Sequence, residues 1–343
     1  TINGVTWPME DVDFPTVDPK DPYTLTPEEE NLIATLTRSF RHSEKLQRHI
    51  KFLFSHGALY QKINGNLLYH GCIPMTEEGP NMDMVEALVN NDDSVKGIWC
   101  VPKYSNPQGI TYSDQVVRRF ARLKPAAKDF RIYWDNAYTI HHLYEDQQYY
   151  LIEILMACKQ EGNPDMVYKF CSTSKISFPG SGIAAIAAST ANLADIRKQM
   201  TIQTIGHDKV NQLRHVKFFK DENGVYEIMK KHAAILRPKF EAVLKTFTED
   251  FGDSGFANWH APRGGYFISL DVMPGCAKRT WELASQIGVT LTGAGATFPY
   301  GKDPQDSNIR IAPSFPTVEE LSCAMELFCI CVKLAGVRKL LAK

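Results

Sequence analysis

From about residue 80 onward, short apolar stretches alternate with amphipathic ones, and few folds accept that alternation. VKGIWCVPK reads as a short, fully apolar strand of the kind found in parallel sheets, and YSDQVVRRFARL as an amphipathic helix. DFRIYWDNAY and MVYKFCSTSK read as two further buried strands, each running into polar residues. Helical stretches follow in NLADIRKQM and YEIMKKHAAILRPKFEAVLKTF. GGYFISLDV and SNIRIAPS read as strands of a smaller α+β portion, and VEELSCAMELFCICVKLAGV as a closing helix. This order predicts a doubly wound α/β core that binds ligands at the carboxyl ends of its strands. No internal repeat or low-complexity tract interrupts it.

The first 74 residues have a different character. Pro8, Pro15, Pro19, Pro22 and Pro27 exclude a long helix at the start. Thr26 is a natural N-cap, Pro27 suits the first turn, and Glu28, Glu29 and Glu30 favour the positive helix end. Leu32, Ile33, Leu36 and Phe40 then recur at helical spacing. A second amphipathic run, SEKLQRHIKFLFSHG, is expected to end at a Gly57 cap, followed by a turn at Asn64-Gly65 and a strand from Leu67 to Tyr69.

A length of 343 residues points to two domains and a sizeable core. Hydrophobic residues make up 44% and aromatics 11%, which fits a globular chain and excludes a disordered one. A net charge of -1 argues against a strongly basic nucleic-acid surface and against a polyacidic tail. No run approaches the roughly 18 apolar residues of a membrane span. TINGVTWPMEDVDFP lacks the pattern of a signal peptide, so a cytoplasmic protein is expected. The eight cysteines include no C-x-x-C pair, so reduced, mostly buried thiols are expected and no metal site.

Three successive strand ends carry polar clusters: Tyr104-Ser105-Asn106-Pro107-Gln108-Gly109, Asp135-Asn136-Ala137-Tyr138 and Ser172-Thr173-Ser174-Lys175. Singly, each has an ordinary reading. Asn-Pro is commonly a turn, a strand-end Asp a helix cap, and a lysine after hydroxyl residues a solvated side chain. In one parallel sheet, however, the three ends share a rim, so an amide, a carboxylate, a phenol and an amine converge. A desolvated lysine can form a Schiff base with an aldehyde. A carboxylate facing a pyridine nitrogen keeps that nitrogen protonated, so the ring accepts electrons.

SNPQG, DNAY, STSK and RIAPS, in that order, resemble the fold-type I (class I/II) pyridoxal-phosphate aminotransferases over residues 75–343. The resemblance implies pyridoxal 5'-phosphate as cofactor, amino acid and 2-oxo acid as substrates, and a homodimer. It implies Lys175 as the Schiff-base lysine and proton shuttle, and Asp135 as partner of the pyridinium nitrogen. Asn106 and Tyr138 would hydrogen-bond the ring hydroxyl, Ser172 would contact the phosphate, and Arg310 would grip the substrate carboxylate. The family's second basic phosphate ligand is replaced by Ile183, with Ser181 and Gly182 placed to serve instead. Arg263 in PRGGYF reads better as a structural turn residue than as a second carboxylate clamp. Tyr300 could close over substrate or merely pack. His207 and His215, on a predicted helix, could line a pocket or a dimer seam but read better as structural.

Residues 1–74 resemble something else. TLTRSFRHSEKLQRHIKFLFSHGALYQKINGNLLYHGCIP is similar to an internal piece of the class 3 fructose-1,6-bisphosphatases, which are calcineurin-like metallophosphatases. His70 matches a metal ligand there, but the further Asp, Asn and His segments that a two-metal site needs are not found, so His70 is at most a vestigial ligand. The implied architecture is a short α/β metallophosphatase-like fragment (1–74), a partial aminotransferase-type doubly wound sheet (75–230) and a C-terminal α+β small domain (231–343), with a junction near 72–79. The expected function is an aminotransferase impaired by loss of the N-terminal phosphate loop. The alternatives are a non-catalytic chimera and a bisphosphatase fragment.

Overall fold

The computed structural model describes residues 16, 21, 24–56, 60–63, 66–69 and 74–342. The chain divides into two compact units, Thr1–Ala58 and Leu59–Lys343. In the first, helix α1 (Pro27–Arg41) starts where Thr26 and Glu29 cap each other's backbone amides in a reciprocal box. Its apolar residues Leu32, Ile33, Leu36 and Phe40 do recur at helical spacing, and all are exposed. Helix α2 (Glu44–His56) follows. The expected Gly57 cap, the Asn64-Gly65 turn and His70 lie outside the described residues.

The second unit begins with an antiparallel pair, β1 (Tyr60–Ile63) and β2 (Asn66–Tyr69), so the expected strand is present and has a partner. A two-residue pair, β3 (Met75–Thr76) and β4 (Gly79–Pro80), leads into helix α3 (Met82–Val89). The central sheet and its connections follow: β5 (Gly97–Cys100), α4 (Asp114–Ala121), β6 (Arg131–Asp135), α5 (Ile154–Gln160), β7 (Val167–Ser172) and β8 (Ala184–Ala188). The strand order is β5-β6-β7-β8, with the first three parallel and β8 antiparallel to β7.

One face of this sheet is a closed core. Cys100, Ile132, Trp134 and Val167 pack there with Val116, Val117 and Phe120 of α4 and Ile154, Ala157 and Cys158 of α5. The opposite face carries Trp99, Tyr133 and Phe170 as a stack with centroids 5.4–6.3 Å apart, and Trp99 is 56% exposed. The burial expected on both faces of these apolar strands is therefore complete on one face only. β5 is not a fully buried strand.

Beyond the sheet come α6 (Thr190–Gln203), α7 (Lys209–Phe219), the 30-residue α8 (Glu222–Phe251), β9 (Ala257–Trp259), β10 (Ile268–Val272), α9 (Ala277–Gln286), β11 (Asn308–Ile311) and α10 (Val318–Leu341). β11, β10 and β9 form an antiparallel sheet. Ile268, Leu270, Ile309 and Ile311 from it pack with Phe240, Val243 and Phe247 of α8 and with Phe328 and Val332 of α10 into a second core. Among the described residues no helix is long and apolar enough to cross a membrane. The seven described cysteines are all free thiols, five of them buried.

Candidate active site

Because β5, β6 and β7 are parallel neighbours, the loops that follow them emerge at one rim, as the sequence predicts. The first loop is tightly folded. The Ser105 amide donates to the Ile110 carbonyl and the Gly109 amide to the Ser105 carbonyl, with a cis peptide between Asn106 and Pro107. Gly109 has a φ of +71°, and a Cβ there would lie 2.6 Å from Pro262, so this turn excludes any larger residue. It presents Asn106, whose Oδ1 accepts from Arg310 Nη1 on β11 at 3.1 Å.

Among the described residues Arg310 donates to neutral oxygens only. Its other terminal nitrogen donates to Thr292 Oγ1 at 3.2 Å, its guanidinium lies 4.7 Å from the Phe267 ring centroid, and its buried Nε has no partner among the described residues. Among the described residues no carboxylate pairs with it. A half-buried guanidinium with this environment is suited to a planar anion.

Asp135 is the last residue of β6, and the next amide, of Asn136, donates to the Phe170 carbonyl and so holds the strand end against β7. Trp99 Nε1 donates to Asp135 Oδ2 at 3.3 Å. Burial raises the Asp135 carboxyl pKa, and the Trp99 hydrogen bond and the Lys175 charge oppose that rise without cancelling it. Tyr138 is buried, and burial, reinforced by the charge of Asp135, pushes its phenol up to about 12. The Lys175 amine lies 5.3 Å from the Tyr138 ring centroid. Lys175, Tyr138 and Asp135 therefore act on one another, and Asn106 joins Arg310 beside them through Phe267, whose ring meets Tyr138 edge-on.

Lys175 itself belongs to a compact turn in which the Ile176 and Ser177 amides both donate to the Thr173 carbonyl. Ser172 Oγ donates to Ser174 Oγ at 3.2 Å. Gly182 presses on the same turn: a Cβ there would sit 2.8 Å from Ser174 Oγ. Ser181 lies next to it, its carbonyl taking a hydrogen bond from Asn211 Nδ2. Hydroxyl groups and backbone amides, with Ile183 adjacent, make up this end of the site.

The other candidates resolve differently. The Arg263 carbonyl accepts from the Leu143 amide and its guanidinium lies on Tyr149, which fits a structural turn residue. Tyr300 is half exposed in a one-turn helix. His207 does not lie on a helix as expected: it is exposed just ahead of α7, because Asp208 caps that helix and sets its start. His215 is buried on α7 and fully bonded. Sequence reasoning missed Trp99, His141, Tyr266, Phe267 and Thr292. Each reaches a site group at least 18 residues away in the chain, and no local pattern marks them.

Comparison with known proteins bears on both parts of the chain. The aspartate amino-transferase family profile matches residues 55–343, and that of Firmicute fructose-1,6-bisphosphatase matches residues 1–97, so the two overlap. The chain is similar to an aspartate aminotransferase of Corynebacterium glutamicum, 46% identical over 264 residues, which are 77% of this chain and 61% of the relative. A solved aspartate transaminase from the same organism superimposes with a TM-score of 0.77 at 43% identity, covering 85% of this chain and 66% of that one. The N-terminal part is similar to a class 3 fructose-1,6-bisphosphatase of Clostridium novyi, 58% identical over 78 residues, or 23% of this chain and 12% of that protein. The chain thus spans 61–63% of the length of the curated aminotransferase relatives it matches first. With a matching profile over most of its length and the rim geometry above, the chain belongs to the aspartate aminotransferase family.

Proposed function

We propose that this chain carries the ring-binding side of a pyridoxal-phosphate aminotransferase site, moving an amino group between an amino acid and a 2-oxo acid. A relative that is an aspartate aminotransferase makes aspartate a candidate donor, with glutamate the other. One observation carries the reading: the Lys175 amine stands over Tyr138 within electrostatic reach of the half-buried Asp135 carboxyl. The residues present fit the cofactor, since an amine, an acid and a phenol act on one another and Arg310, bonded to Asn106 and Thr292, has no carboxylate partner among the described residues.

When bound, pyridoxal phosphate supplies an aldehyde and an electron-accepting ring. Asp135 would hold the ring nitrogen, Asn106 and Tyr138 the ring oxygen, Ser172 and Ser181 the phosphate, and Arg310 the substrate α-carboxylate. Lys175 Nζ would take the proton from the substrate Cα and return it to the cofactor's C4′. A carboxylate at Asp135 gains by facing a protonated nitrogen, which offsets its burial. Ile183 brings no cation to the phosphate end, so the cofactor is expected to leave readily on dialysis. A homodimer is proposed from the family alone.

The test is reconstitution with pyridoxal phosphate, followed by visible absorbance and by amino-group transfer from glutamate or aspartate. Lysine-bound cofactor absorbance that Lys175→Ala abolishes is the expected result. Its absence in the wild-type chain refutes the reading.

A further inference from the structure

Two buried histidines touch the Lys175 turn. His141 is 4% exposed, and its Nε2 lies 3.4 Å from the Lys175 carbonyl oxygen. The Tyr266 hydroxyl donates to that same oxygen at 3.3 Å, with its ring 5.3 Å from the imidazole. A carbonyl only accepts, so Nε2 must carry the His141 proton. Among the described residues the buried Nδ1 has no partner, and it is then a bare lone pair. The backbone fixes the ring's base: the His141 carbonyl accepts from the Gly265 amide, and its own amide donates to the Tyr138 carbonyl.

His215 presents the reverse arrangement. Its Nδ1 lies 2.9 Å from the Asn211 carbonyl, again an acceptor only, so here Nδ1 carries the proton. Its Nε2 is 2.7 Å from Ser177 Oγ and 3.1 Å from Thr173 Oγ1, and so is left to accept a hydroxyl hydrogen. Thr173 Oγ1 is meanwhile occupied as acceptor by the Ile183 amide at 3.0 Å, which ties the turn to the strand that follows.

We propose that His141 and His215 are positioning residues for Lys175, gripping its turn in opposite tautomers, His141 through the lysine carbonyl and His215 through the hydroxyls at positions 173 and 177. The lysine side chain stays exposed and free to swing while its Cα is held. The two bonds on the carbonyl are long and individually weak, so removing one slows the lysine's attack by about two- to tenfold, the range of one modest hydrogen bond. This grip rests on the reading of Lys175 as the reactive amine.

The test uses the whole chain without cofactor and has two arms. Nitrogen-15 spectra at neutral pH are expected to show an Nε2-protonated histidine that vanishes in His141→Phe, and an Nδ1-protonated one that vanishes in His215→Phe. A His141 signal from the other tautomer or from the doubly protonated ring overturns the proposal. The second arm measures the rate of covalent capture of Lys175 by pyridoxal phosphate and cyanoborohydride, located by peptide mass. Capture is expected to slow in His141→Phe and to recover in His141→Gln, which keeps a donor. Equal rates in wild type and His141→Phe, or slowing that His141→Gln shares at unchanged melting temperature, overturns the grip. If the wild type captures nothing, the cofactor reading falls, and the tautomers alone then decide whether the grip exists.

Discussion

Burial of His141 ties the stability of the fold to pH in a window that can be calculated. Burial dominates, and the charges of His232, Lys175 and His142 push in the same direction, while the bond to the Lys175 carbonyl opposes; together they lower the imidazole pKa from 6.5 to about 4. The folded pKa lies below the unfolded one, so between those values the unfolded chain binds more protons and folding strengthens as pH rises. The stabilisation is complete above 6.5 and is lost as pH falls toward 4. At 1.36 kcal/mol for each pH unit of displacement, the loss is about 3 kcal/mol. His142 is also lowered to about 4, chiefly by burial, so wild type alone would show both groups. Comparison with His141→Gln isolates one of them. Denaturant unfolding at several pH values should show wild type losing about 3 kcal/mol more than the variant between pH 6.5 and pH 4. Parallel pH profiles for the two proteins would refute both the burial argument and the neutral ring it requires.

Other expectations follow from single contacts. Phe240→Ala empties a fully buried position in the core between α8, α10 and the antiparallel sheet, and should cost about 3–5 kcal/mol in denaturant unfolding. Trp99→Phe keeps the stack on Tyr133 and Phe170 but deletes the donor to Asp135, so the carboxyl pKa should rise further; carbon NMR titration of Asp135 would record it. Arg310→Lys exchanges a planar fork for a point charge and should weaken binding of carboxylate ligands about tenfold, read as Kd by calorimetry.

Much of the architecture is legible wherever local chemistry and tertiary structure agree. Thr26 and Glu28 to Glu30 announce α1, and the apolar runs around Ile98, Ile132 and Tyr168 announce three parallel strands. The rim constellation is legible for the same reason, because each of its members directly follows such a run. β8 was not foreseen. Its Ala-rich sequence has no β-branched or aromatic face beyond Ile186, and only pairing with β7 makes it a strand. The groups that support the site were equally hidden. Trp99 meets Asp135, and Tyr266 meets Lys175, across 36 and 91 residues, so nothing in a local window connects them. His141 looks like half of an unremarkable His-His pair until the fold buries it.

The alternation along β6 has a consequence for how this chain tolerates change. Ile132 and Trp134 lie under the helices while Tyr133 and Asp135 face the other way, so one strand writes two messages with opposite parity. Inserting or deleting a single residue there would invert both at once, driving a carboxylate into oil and an indole toward water. Errors of register in this strand are therefore self-announcing: a chain that misplaced its acid would fail to fold before it could misfire.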